Sequence, residues 1–174
     1  MANTLKELGM PIKESYELAL RRAVESAPYY QLLQITLDQI DTGFACFRMP
    51  FREELTHPYG IVHGGAIASL ADTAVAFARM TLIQPGEKVL TIEFKINFLA
   101  SVNEGGMIGE ARVVNRGKSL AMADMEVKNE NGKLIDRGLA TYMILSSPKT
   151  GEGLKNKEST RKPNFIFSGS KRKG

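Results

Sequence analysis

Between His63 and Arg79 the chain carries one ionisable side chain, Asp72, set in a run of Ala, Leu, Ile, Val and Phe. A carboxylate in such surroundings loses hydration energy unless it is paired, hydrogen-bonded or protonated. The same burial raises its pKa toward that of a base working at neutral pH. Two roles fit: a general base, or a structural Asp that hydrogen-bonds across an interface. Gly64 and Gly65 open the same segment, where a helix start leaves backbone N–H groups unpaired and the dipole positive. A carbonyl can approach glycine backbone closely, and one donor aimed at a developing oxyanion is worth roughly 3 to 4 kcal/mol in the transition state. A flexible helix-start turn uses the same residues without any chemistry. His63 stands at the helix entrance, suited to capping the turn or orienting the loop.

Gly64 and Asp72 are eight positions apart, about 12 Å along a helix that rises ~1.5 Å per residue. One carbonyl cannot touch both. A site that uses both brings Gly64 of one copy to Asp72 of another, so the spacing predicts a two-fold homodimer with two equivalent sites at its interface.

The elements around this segment follow from periodicity. Ile12 to Ser26 places Ile12, Tyr16, Leu20 and Ala23 three or four apart, an amphipathic surface helix after Pro11. From Tyr30 to about Arg52 the runs LLQITLDQI and FACFRMPF read as one or two antiparallel strands around the turn Asp41-Thr42-Gly43. HPYGIVHGG, residues 57–65, leads into AIASLADTAVAFARMTLI, a helix with almost no polar face and therefore expected to be buried all round. After Pro85-Gly86 come strands from Val89 to Leu99, Met107 to Asn115, Ser119 to Lys128 and Leu134 to Leu145, with Asn131-Gly132 as the last hairpin turn. In TIEFKINF, Ile92, Phe94, Ile96 and Phe98 alternate with polar residues, so one face needs a cover. One enclosed helix followed by antiparallel strands gives an α+β fold, a sheet curled around a central helix.

Composition excludes several classes. The 174 residues allow one domain of ordinary size. The net charge of +4 is concentrated in residues 147–174, where eight Lys/Arg face two Glu, leaving the rest at −2. No aromatics interleave with those charges, so the tail reads as a mobile basic segment rather than a nucleic-acid arm, with Phe165-Ile166-Phe167 able to dock at a place the sequence does not specify. No run is long and apolar enough to span a membrane, and MANTLKELGM lacks the pattern of a secretion signal, so a cytoplasmic protein is expected. One cysteine and two histidines supply no metal-ligand spacing. Cys46 reads as a small core or strand residue. There is no G-x-S-x-G, no P-loop and no G-x-G-x-x-G after a strand.

HGGAIASLADTA resembles the central motif of hotdog-fold acyl-CoA thioesterases of the phenylacetate-degradation (PaaI-like) family. PYYQLLQITLDQIDTGFACFRMPF before it and VVNRGKSLAMADMEVKNENGKLIDRGLATYMIL after it resemble the same family's strands. The resemblance divides the chain into an N-terminal helical extension (1–27), a hotdog domain (28–146) and the basic tail (147–174). It implies hydrolysis of an acyl-CoA to free acid and CoA, with no cofactor beyond the coenzyme A of the substrate. In that reading Asp72 activates water or attacks the thioester, the Gly64 amide polarises the carbonyl, and His63 is the motif histidine beside it. Thr91 matches a hydroxyl position near the carboxylate. His57 departs from the family, where many relatives carry an asparagine that holds the attacking water. Arg116, Lys118 and Ser119 match a turn near the coenzyme A arm, though solvated turn charges explain them equally. The family also implies at least a homodimer and a homotetramer beyond it. Two other classes fit less well: a hotdog protein that binds acyl-CoA without turnover, against which Asp72 weighs, and a hotdog hydratase or dehydratase, which spaces its histidine and carboxylate differently.

Overall fold

The computed structural model describes residues 12–84 and 87–146, side chains of 88, 89 and 146 excepted. Helix α1 (Glu14–Ser26) leads into the short helix α2 (Pro28–Leu33), then strands β1 (Thr36–Asp41) and β2 (Phe44–Pro50). Helix α3 (Gly64–Met80) follows, and strands β3 (Glu87–Phe98), β4 (Gly106–Arg116), β5 (Leu120–Asn129) and β6 (Leu134–Ser146) complete the chain. All strand pairs are antiparallel, in the order β1-β2-β4-β5-β6-β3. This is the expected α+β hotdog arrangement, with α3 lying in the sheet's concave face. The proposed N-terminal residues 1–11, Pro85-Gly86 and the basic tail 147–174 fall outside the described residues.

The turns form where their residues allow. Gly43 and Gly132 adopt positive φ, 69° and 79°. The Asn129 Oδ1 accepts from the amides of Asn131 and Lys133 and closes the β5–β6 hairpin. The first two residues of LLQITLDQI, Leu32 and Leu33, are helical rather than extended. Pro28 supplies the fixed φ of a first helical position, and Gln34 ends the turn in the left-handed conformation. In α1 the buried residues are Leu20 and Val24, not the full row from Ile12 to Ala23, while Tyr16 stays exposed and donates its hydroxyl to the Met80 carbonyl.

Helix α3 rests chiefly on β2, β4 and β5. Leu70 sits so close over β4 that a Cβ on Gly109 would come within 2.8 Å of it, so glycine sets the approach of helix to sheet. Phe77 packs edge-on against Phe47 and Tyr30. The expectation that α3 is buried all round fails on one side. Gly65 and Asp72 are exposed and Ser69 and Ala76 partly so, a stripe at three- and four-residue spacing that among the described residues only Tyr29 of α2 reaches, at Ser69. The residues of that stripe are small, so hydropathy alone does not separate it from the core.

The outer strand β3 also differs from a simple alternation. A bulge between Thr91 and Glu93 makes Ile92 the extra residue and leaves it about half exposed. Thr91, Phe94, Ile96 and Phe98 then face the helix side together with Tyr142, Ala140, Gly138 and Asp136 of β6.

Candidate active site

Residues 51–63 carry the chain to the start of α3 through a one-turn 3-10 segment, Glu53–Leu55, and an antiparallel bridge between Thr56 and Val62. His63 then caps the helix, its Nδ1 accepting from the Gly65 amide at 2.8 Å. His57 Nδ1 accepts from the Tyr59 amide at 3.2 Å. With each Nδ1 used as an acceptor, the neutral ring of each histidine carries its proton on Nε2. The two rings stand 6.4 Å apart, centroid to centroid.

The capping bond separates the two glycines. The Gly65 amide is occupied by His63, whereas the Gly64 amide, at the first position of the helix, has no partner among the described residues. Gly64 lines a cleft of about 400 Å³ together with His57, Ile67 and Phe98. A Cβ at this position would lie 3.1 Å from the Phe98 ring, so a larger residue would push that ring into the cleft.

Asp72 lies two turns further along the same unbroken helix, on the exposed stripe, so the distance of about 12 Å to Gly64 stands. On the isolated chain the carboxylate is exposed rather than buried, because the neighbouring stripe residues are too small to enclose it. The protein around its base still raises its pKa above the ordinary value by partial desolvation, with Arg79 pulling in the opposite direction. One turn before it, Ser69 Oγ meets the Tyr29 hydroxyl at 2.6 Å and donates to the Gly65 carbonyl at 2.8 Å.

Thr91 is the cross-strand partner of Tyr142, an exposed hydroxyl beside a tyrosine that is 1% exposed. Desolvation, and after it the Asp72 charge, raise the Tyr142 pKa; the Thr91 hydroxyl pulls it down without reaching hydrogen-bond geometry. The structure does not bring Arg116, Lys118 and Ser119 to the Gly64 cleft. Arg116 lies with Arg79 and Leu82 at the other end of α3, its Nη2 held by both carboxylate oxygens of Glu87 at 2.7 and 2.6 Å. Lys118 and Ser119 are exposed in the β4–β5 turn. Cys46 is a buried β2 residue whose thiol pKa is pushed up to about 11, chiefly by desolvation. Among the described residues no cluster of three or more His, Cys, Asp or Glu could hold a metal, and no helix is long and apolar enough to cross a membrane.

The sequence profile of the thioesterase superfamily matches residues 59–135, which include Gly64, Asp72 and Thr91. A Saccharolobus solfataricus protein provisionally named an esterase is 33% identical over 115 residues, 66% of this chain and 76% of that protein. The chain belongs to the thioesterase superfamily. The 1,4-dihydroxy-2-naphthoyl-CoA hydrolase of Listeria monocytogenes is 28% identical over 119 residues, 68% of this chain and 97% of the hydrolase. The solved structure of Escherichia coli PaaI, from the phenylacetic acid degradation operon, aligns with a TM-score of 0.68 and 24% identity. It covers 77% of this chain and 97% of PaaI, a likeness of fold.

For a thioesterase the arrangement supplies a carboxylate and an unpaired helix-start amide, two of the parts that acyl transfer to water requires. Each chain offers them at separate places on α3. Reading the sequence missed two polar residues on the same side of the helix, Arg79 and Tyr142. Arg79 closes an apolar run, where a cation in the last helical turn suits the dipole and gives no further signal. Tyr142 gave no signal, because both faces of β6 are rich in apolar residues.

Proposed function

We propose that this thioesterase hydrolyses an acyl-CoA to the free acid and CoA at two sites of a homodimer, each built from Asp72 of one protomer and the Gly64 amide of its partner. The observation that carries the proposal is the split on α3: the free amide of Gly64 opens onto a cleft, and Asp72 stands about 12 Å away on an uncovered stripe. Antiparallel docking of two such stripes, centred near Ala68, brings each amide to the other chain's carboxylate. The small residues Gly65, Ser69 and Ala76 permit that approach.

The thioester carbonyl oxygen accepts from the Gly64 N–H, and the positive helix end stabilises its developing charge. Asp72 either takes a proton from the water that attacks the carbonyl carbon, or attacks that carbon itself to give an anhydride that water then opens. In both routes the C–S bond breaks, the sulfur leaves as thiolate and is protonated, and one water is consumed; its oxygen ends in the acid when it attacks the acyl carbon and in Asp72 when it opens the anhydride at the aspartyl carbon. In this reading His57 holds the water through its Nε2–H, and His63 fixes the helix start. Thr91 provides a hydroxyl on the facing strand. Lys118 and Ser119 remain open to the coenzyme A arm, while Arg116 is committed to Glu87. In this reading residues 28–146 form the catalytic domain.

Mixing two inactive variants tests the reading. Asp72→Asn and Gly64→Ala should each release little thiol from a panel of acyl-CoA substrates. A mixed dimer carries one site with both native groups and should recover activity. Two dead variants that stay dead when co-expressed as a verified mixed dimer would sink the shared site. Because the working base is the ionised form and its pKa is raised, kcat/KM should fall on the acid side at a pH above the ordinary carboxylate value.

A further inference from the structure

Two of the interior side chains that lack a hydrogen-bond partner lie against each other. Arg79 Nε and the Tyr142 hydroxyl are both buried with nothing to bond among the described residues, and the Arg79 guanidinium carbon stands 5.0 Å from the centroid of the Tyr142 ring. Buried donors are normally satisfied, and a desolvated cation is normally paired. None of the ion pairs among the described residues includes Arg79. Its two Nη groups are not among the buried unsatisfied atoms, and the side chain borders a small pocket with Leu82, Glu87 and Arg116. The negative end of α3 accounts for a cation in the last turn, but not for burying its Nε without an acceptor.

The position gives these donors a use. Asp72 and Arg79 are seven residues apart, about 10 Å along the axis, on one face of α3. Helical side chains lean toward the N-terminus, so the guanidinium leans back toward Asp72. Beside this row α3 scarcely touches β3, and the strip between them is bordered by Ala76 on the helix and by Thr91, Phe94 and Ile96 on β3. Gly138 and Ala140 of β6 continue the same face with almost no side chain. A carboxylate that does chemistry therefore stands at one end, apolar and small residues in the middle, and two unanswered donors at the other.

We propose that Arg79, carried on the Tyr142 ring, forms a subsite for a carboxylate at the far end of the acyl group. The preferred substrates are then CoA monothioesters of dicarboxylic acids. A carboxylate matches the planar guanidinium with two oxygens, and the Tyr142 hydroxyl is a second donor to it. The subsite rests on the reading of Asp72 as the reacting group, since that fixes the direction in which the acyl chain runs. Burial lowers the Arg79 pKa, and a bound anion would counter that desolvation.

The experiment compares kcat/KM of the full chain on matched pairs, succinyl with butyryl, adipoyl with hexanoyl and suberoyl with octanoyl-CoA, for the natural protein, Arg79→Met, Arg79→Lys and Tyr142→Phe. The natural protein should favour the carboxylate member of at least one pair by about tenfold or more, the effect of one charge-assisted hydrogen bond. Arg79→Met should collapse that ratio, Arg79→Lys keep part of it, and Tyr142→Phe reduce it by a smaller factor. Turnover of every pair with the neutral member favoured overturns the subsite and leaves the Asp72 reading intact. An equal loss on both members in Arg79→Met also overturns it, because the anion served would be a phosphate of coenzyme A. If no thioester is hydrolysed, the Asp72 reading fails, and calorimetric titration with free adipate and suberate decides the subsite. Saturable binding that Arg79→Met abolishes supports it, and no saturable binding overturns it.

Discussion

The two sides of α3 follow opposite rules. Toward β2, β4 and β5 the helix presents Leu70, Ala71, Ala74, Val75, Phe77 and Ala78, each with almost no exposed surface. Toward β3 it presents Gly65, Ser69, Asp72 and Ala76, small or polar and uncovered. The first side fixes where the helix lies. The second contributes little to holding it there, which leaves that side free to carry groups chosen for chemistry and for contact with a second copy. Under the proposed function, stability and activity belong to different faces of one helix.

The largest effects should separate along that line. Leu70→Ala removes a side chain packed directly onto Gly109 and should lower the unfolding free energy by about 3 to 5 kcal/mol in a denaturant titration. Asp72→Asn should leave the unfolding midpoint nearly unchanged or slightly higher, since it removes a partly desolvated charge. Its kcat should fall by a factor of about 10² or more. An Asp72→Asn protein that unfolds as readily as Leu70→Ala would break the comparison, and the exposed side would have to be counted as structural.

Asp136 sharpens the comparison, because it is a carboxylate on the covered side. It is 0% exposed on β6, between Val127 and Phe98, and neither oxygen finds a hydrogen-bond partner among the described residues. Desolvation raises its pKa from 3.8 to about 6, while the Val127 amide pulls down without reaching bonding geometry. The folded protein thus holds this proton more tightly than the unfolded chain. Its contribution to stability is complete below pH 3.8 and is lost as pH rises through about 6. At roughly 1.4 kcal/mol per pH unit, ionisation costs the fold up to about 3 kcal/mol. Asp136→Asn should therefore raise the melting temperature more at pH 8 than at pH 4 relative to the natural protein. A difference that does not vary with pH would mean that Asp136 finds a donor in the assembled protein.

These cases show what the sequence could and could not disclose. The placement of Asp72 and Gly64 on one helix was legible because each breaks the character of its surroundings, and the distance between them needed only the helical rise. Strands β3 to β6 were legible from turn residues and run length. The helix Pro28–Leu33 was not, because six residues opening on a proline offer too short a period to distinguish from a strand. The open side of α3 was hidden because Ala and Gly look the same in a core and on a docking face. Asp136 was hidden because the odd and even positions of LIDRGLATYMIL are both largely apolar, so alternation does not reveal which side faces inward. The bulge at Ile92 depends on pairing with β6, which no local pattern records.

The smallest expected effect lies where the chain itself reaches the open side. Helix α2 places its two tyrosines differently. Tyr30 stacks edge-on against Phe77 on the covered side, and Tyr29, 52% exposed, hydrogen-bonds Ser69 on the stripe. Tyr29→Phe removes only that bond and should lower stability by about 1 kcal/mol or less, within the range of one partly exposed hydrogen bond. Tyr30→Ala should cost more, because it opens a space beside Phe77. If Ser69 lies at the axis between two copies, the Tyr29 hydroxyl also sits at the border of the dimer. Tyr29→Phe should then weaken dimerisation, read by analytical ultracentrifugation across a dilution series, by more than it lowers the stability of the chain. Equal dimer affinity in the two proteins would place Tyr29 outside the interface and move the centre of the docked stripes away from Ser69.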